Sequence, residues 1–114
     1  MSLDLSPQLI DSELAAARDA RQQGNEGKAR VCARRAAGWA IALGFQDQFG
    51  AQATGNAFVL LAWLQRQSAL SLELRQAAER LTVRINQDHE LPHDQDPIDD
   101  AALIVAAMRQ RDGA

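Results

Sequence analysis

Apolar and small side chains recur along this chain at three- and four-residue intervals, interrupted by turn residues, and that spacing predicts helices. Ser6-Pro7 opens the first: serine suits an N-cap and proline the first helical position. Leu9, Ile10, Leu14, Ala17 and Arg21 form its stripe, which ends near Gly24. Asn25 can cap a second helix running to about Gly44 or Phe49, with Gly27 in or just before its first turn. Positions 50–55 read as a turn. Asn56 or Thr54 caps a third helix, with Phe58, Leu61 and Leu64 inward and Trp63 a further inward candidate. Ser71 caps a fourth, with Leu74, Ala77 or Ala78, Leu81 and Ile85 as its stripe. The segment from Leu91 to Pro97 contains two prolines and cannot be regular helix. A final helix starts at Pro97 or Ile98, with Ala101, Ala102, Val105 and Met108 inward. Its acids Asp99 and Asp100 come first and Arg109 and Arg111 last, which suits the helix dipole. The expected fold is all-α: one domain over residues 1–114, an antiparallel up-and-down bundle of four long helices plus a shorter C-terminal helix.

The second helix differs from the others. In GNEGKARVCARRAAGWAIAL the bases Lys28, Arg30, Arg34 and Arg35 alternate with Ala29, Cys32, Ala33, Ala36, Ala37, Gly38 and Ala40. Small side chains let neighbouring helices come close, while arginine carries planar donors that match carboxylate or phosphate. This segment is expected to be the central packing helix, with a basic edge.

Composition supports the helical reading. Good helix formers dominate, aromatic residues make up 4% of the chain and tyrosine is absent. Arginine outnumbers lysine eleven to one, which a GC-rich coding bias explains without any phosphate ligand. The net charge of −3 argues against general nucleic-acid affinity but allows a local basic patch. Cys32 has no second cysteine to pair with and falls on an apolar face, where a thiol behaves as a small hydrophobe. The longest apolar run, Ala57 to Leu64, is far too short to span a bilayer. With no secretory pattern at the N-terminus, a cytoplasmic protein with no membrane association is expected.

Three constellations could carry chemistry. Arg30 and Arg34 share a helical face, with Arg35 about 100° around from Arg34. Glu26 stands four residues before Arg30, so the edge reads either as a salt-bridged surface or as a site for phosphate or an acidic surface. Six acids lie between Asp88 and Asp100 and could cover that edge in cis or across a dimer. Arg84 and His89 could work together on a phosphodiester, histidine moving the proton and arginine neutralising charge. They converge only if the helix ends between them. His89, His93, Asp94 and Asp96 contain metal-ligand types, but Pro92 breaks the helix that would align the histidines, so neither metal nor cofactor is expected. Trp39, Trp63 and Phe58 read as core or subunit-contact residues rather than ligand stackers.

Three stretches resemble the HEPN domain family. The Ala-rich second helix, ARVCARRAAGWAIAL, is similar to part of that family's opening hairpin. GNAFVLLAWL is similar to its third helix. LRQAAERLTVRINQDHELP followed by DPIDDAALIVAAM resembles a helix ending in an Arg- and Pro-containing loop before an Ala-rich last helix. The resemblance implies a helical bundle that dimerises. Some members are metal-independent ribonucleases with an Arg, four to six residues, then His, and Arg84 and His89 stand at that spacing. Others are non-catalytic partners of a minimal nucleotidyltransferase in toxin–antitoxin pairs and are suspected of binding nucleotides. Ile85 follows the arginine where active members carry a polar residue, which favours the non-catalytic branch. The resemblance thus implies a homodimeric binding module, with a nucleotidyltransferase partner or a nucleotide as ligand and Arg30, Arg34, Arg35 and Arg84 as the binding candidates. The alternative is a ribonuclease that acts on RNA through Arg84 and His89.

Overall fold

The computed structural model describes residues 6–49, 56–83 and 95–112. Within them the chain forms α1 (Pro7–Gln22), α2 (Glu26–Gly44), the single turn α3 (Gln46–Phe49), α4 (Ala57–Gln65), α5 (Leu72–Thr82) and α6 (Pro97–Asp112). No strand occurs among the described residues, so the fold is all-α. The lengths differ from the sequence expectation: α6, at 16 residues, equals α1, whereas α4 has 9 and α5 has 11.

The helix starts follow from local chemistry. The Ser6 hydroxyl accepts from the Leu9 N–H at 3.2 Å, and Ser71 does the same for Leu74 at 3.2 Å. Asn25 and Asn56 accept through Oδ1 from the Lys28 and Val59 N–H groups at 3.1 and 3.0 Å. Asp96 caps α6, its Oδ1 accepting from the Ile98 N–H at 2.9 Å. Each bond satisfies a donor that the first helical turn leaves unpaired. Gly24 ends α1 at φ 79°, a left-handed conformation that glycine adopts without penalty. The Gly24 N–H then donates to the Arg21 carbonyl at 2.9 Å and the Asn25 N–H to the Ala20 carbonyl at 2.8 Å. Asn25 therefore closes one helix and caps the next, and the chain doubles back with no spare residue.

α2 is the hub and packs against α1, α4 and α6, while α5 rests on α4 and α6. Ten of its residues are buried, mostly alanine. Contacts at Gly38 and Gly44 set how close its neighbours come. A Cβ on Gly38 would lie 3.0 Å from both Cα and Cβ of Ala57 in α4. One on Gly44 would lie 2.9 Å from the Met108 Sδ of α6. Larger hydrophobes from the other helices fill the space around this rod: Ile10, Leu61, Leu64 and Ile104 are fully buried, as is Ile41 of α2 itself.

Ala17, Leu74, Ala77, Leu81, Ala101, Val105 and Met108 are buried where the pattern placed them, and Ile104 joins them. Phe58 is not inward: 41% of it is exposed. Leu61 and Leu64 of the same helix are inward as expected. The α4 run is apolar on every side, so nothing in its pattern set Phe58 apart from them. Trp63 is partly buried, its ring meeting Phe45 edge-on at 4.8 Å. Ile85 lies outside the described residues.

Ion pairs join helices that are distant in sequence. Asp100, 5% exposed, takes a two-pronged contact from Arg80 at 3.0 and 2.8 Å, locking α5 to α6. Arg21 binds Glu26 and Asp96, tying the α1–α2 turn to the start of α6. Arg109 reaches Asp11 and the Pro7 carbonyl. Two sequence expectations change here. Glu26 pairs with Arg21 rather than Arg30. Asp96 and Asp100, the described members of the acidic stretch that form ion pairs, pair with Arg21 and Arg80 rather than with the α2 edge.

Two predictions follow from this packing. Gly38→Ala forces a methyl against the α4 backbone. It should lower stability by about 1 kcal/mol in denaturant unfolding, because overpacking outweighs the gain in helix propensity. Gly27→Ala, whose Cβ would meet nothing closer than 3.8 Å, should be neutral or stabilising. The second concerns Asp96. Burial pushes its carboxyl up, but hydrogen bonds from Arg21 and the Ile98 N–H, together with the Arg21 charge, hold it below its ordinary value. A carboxyl depressed by folding stabilises above its unfolded pKa of about 4 and loses that contribution as pH falls through the folded value. The difference in melting temperature between wild type and Asp96→Asn should therefore be full at pH 6 and shrink below about pH 4.

Candidate functional site: a basic ridge between two clefts

The outer face of α2 forms the site. Its inner face is fully used by packing, so the long side chains at Arg30, Val31, Arg34, Arg35 and Trp39 collect on one side. α4 crosses at Gly38 and supplies the opposite wall, beginning at its cap Asn56. The groove between them encloses about 330 Å³ and is lined by Val31, Arg34, Arg35, Trp39, Phe58 and their neighbours. On the other flank of Arg34 is a crevice of about 10 Å³ between α2, the end of α5 and the start of α6, lined by Arg30, Arg34, Arg80 and Pro97 among others. An anion at this flank would rest on the crevice mouth, since the crevice itself is too small for one.

Arg34 borders both clefts. Its guanidinium lies 4.9 Å from the Phe58 ring centre, a cation–π distance. Burial, and then the charge of Arg30, pull its pKa below the usual guanidinium value, although arginine stays cationic at neutral pH. Neither Arg30 nor Arg34 forms an ion pair among the described residues. Two like charges thus sit together in a partly dehydrated place with no carboxylate of the described residues paired to them, an arrangement that favours an incoming anion. Arg35 differs: it donates to Glu13 of α1 at 2.9 Å and its guanidinium lies 6.0 Å from the Trp39 ring.

Of the sequence-proposed binding residues, Arg30 and Arg34 come together, while Arg35 turns to the groove side and is engaged by Glu13. Arg84 and His89 lie outside the described residues, as do His93 and Asp94, and Asp96 is held by Arg21. No cluster of metal-ligand side chains occurs among the described residues, and no helix there is long and apolar enough to cross a membrane. Sequence reasoning missed Phe58 and Val31 as surface residues. The i, i+4 spacing of Arg35 and Trp39 could have suggested their contact. Nothing local could have linked Arg34 to Phe58.

Comparison with family models, curated proteins and solved structures finds no match to this chain.

Cys32 lies on the inner side of the same helix, 5% exposed, with its thiol pushed up first by burial and then by Glu13. Since the thiolate is the reactive form, alkylation by iodoacetamide at pH 8 should be at least tenfold slower in the folded protein than in urea. Equal rates would show the inner face of α2 to be open.

Proposed function

We propose that the chain is a non-catalytic, HEPN-like helical binding module. It works as a homodimer, receives the phosphate of a nucleotide on the Arg30–Arg34 edge of α2, and partners a nucleotidyltransferase in a toxin–antitoxin type of pair. One observation carries the ligand reading: two guanidinium groups share a partly buried edge with no acid among the described residues, flanked by Arg80, whose own charge Asp100 satisfies. A phosphate at the crevice mouth would give Arg30 and Arg34 the acceptors they lack. Each charge-assisted hydrogen bond of this kind is worth about 1.5–3 kcal/mol. Arg34 is already held against Phe58, so little side-chain freedom is lost on binding.

Titration with AMP and ATP by calorimetry, in low salt and without metal, tests this. Binding should be measurable below millimolar concentration, and Arg30→Ala and Arg34→Ala should each weaken it about tenfold, equivalent to roughly 1.4 kcal/mol. Raising the salt should weaken it too. Absence of binding, or indifference to both substitutions, would remove the nucleotide from the reading. Metal-free RNA cleavage lost on His89→Ala would replace the module with a ribonuclease.

A further inference from the structure

The groove on the other flank of Arg34 has chemistry of its own. Its lining includes Val31 and Phe58, each 41% exposed. These are two of the four large hydrophobic side chains exposed among the described residues, and they face one cleft. The floor is apolar, built from Leu60 and from Ala57 where it meets Gly38. Among the described residues the charged side chains on its wall are both basic, Arg34 and Arg35. Glu13, which pairs with Arg35 at 2.9 Å, does not line the groove, so Arg34 carries its unpaired charge. From Val31 to Trp39 the α2 wall rises about 12 Å at 1.5 Å per residue.

We propose that this groove docks an amphipathic helix of a partner protein, bearing an apolar stripe flanked by aspartate or glutamate. The length decides the shape of the occupant: about 12 Å accommodates two helical turns, enough for anchors at i, i+3 or i+4, and i+7. The apolar floor rejects a purely polar ligand, because most of what it offers is area to be dried. The charge decides the sign. A basic helix would place cations beside Arg34 and Arg35 in a half-dehydrated cleft, where like charges cost most. Acids flanking the stripe would meet both guanidinium groups, and Glu13 holds Arg35 in place from behind. The aromatic rings under the two arginines keep them against the wall, which leaves the floor open to side chains from outside.

This inference shares Arg34 with the nucleotide reading but rests on other observations, the exposed Val31 and Phe58 and the apolar floor of the opposite flank. A displayed library of helix-forming 18-residue peptides tests it, with apolar residues varied at i, i+3, i+4 and i+7 and Asp, Glu, Lys and Arg varied on the flanks. Recovered peptides should carry acidic flanks. One of them, synthesised and followed by fluorescence anisotropy, should bind Phe58→Ala and Val31→Ser at least tenfold more weakly. It should bind Leu72→Ser, an exposed apolar position on α5 outside the groove lining, unchanged. Failure to recover peptides, recovery of basic flanks, or equal loss in Leu72→Ser would overturn the proposal. So would a dimer in sedimentation that dissociates on Phe58→Ala, since a second copy would then fill the groove. AMP titration of Val31→Ser keeps the two readings apart: nucleotide affinity should stay within threefold of wild type whatever the peptide does.

Discussion

The closeness of α2 to its neighbours governs the rest of this molecule. Alanine, cysteine and glycine leave almost no side chain between the α2 backbone and the helices around it, and at Gly38 even one methyl would press on the α4 backbone. Dispersion contacts fall off steeply with distance, so a rod this slim gains much from a snug fit and little from bulk. Volume is restored from outside, by Ile10, Leu61, Leu64 and Ile104 reaching in from other helices. Every charged side chain of α2 must then leave on the remaining face, and the basic ridge results from that exclusion.

Electrostatic compensation is uneven around this hub. Arg21, Arg35, Arg80 and Arg109 each find a carboxylate on another element or across a turn. The Arg80–Asp100 pair is the most buried, and its two-pronged geometry returns much of what desolvation takes. Among the described residues Arg30 and Arg34 receive no such partner. Exposed arginines without partners are ordinary. Arg34 is not simply exposed: it is lodged between an aromatic ring and a second cation, which is why it stands out from the surface charge elsewhere.

Legibility followed the range of the interaction. Ser6, Asn25, Asn56 and Ser71 were readable as caps because a cap is settled within three residues. The stripes of α1 and α5 were readable because polar residues mark their outer faces. α4 was readable in part: Leu61 and Leu64 turn inward as expected, but AFVLLAWLQ offers hardly any polar position from which to infer a face, and Phe58 was assigned to the wrong side. The bounds of α6 were readable, from Pro97 to a last turn carrying Arg109 and Arg111. Its rank as the shorter helix was not, because α4 and α5 end after 9 and 11 residues. Ion pairs were the least readable. Glu26 had two arginines within reach along the chain, Arg21 behind and Arg30 ahead, and only the turn at Gly24 decides between them.

The ridge and its clefts lie between these extremes. That arginines would line one edge of α2 could be read from the spacing of small residues. That one of them would lie against Phe58, and divide an apolar groove from a basic crevice, depends on the crossing of α4 at Gly38. The crossing itself follows from a missing side chain, so the same glycine that closes the core also opens the cleft beside it. A larger residue there would push α4 outward, draw Phe58 away from Arg34 and merge the surface into an ordinary charged face. Packing and recognition therefore rest on the same contact in this chain.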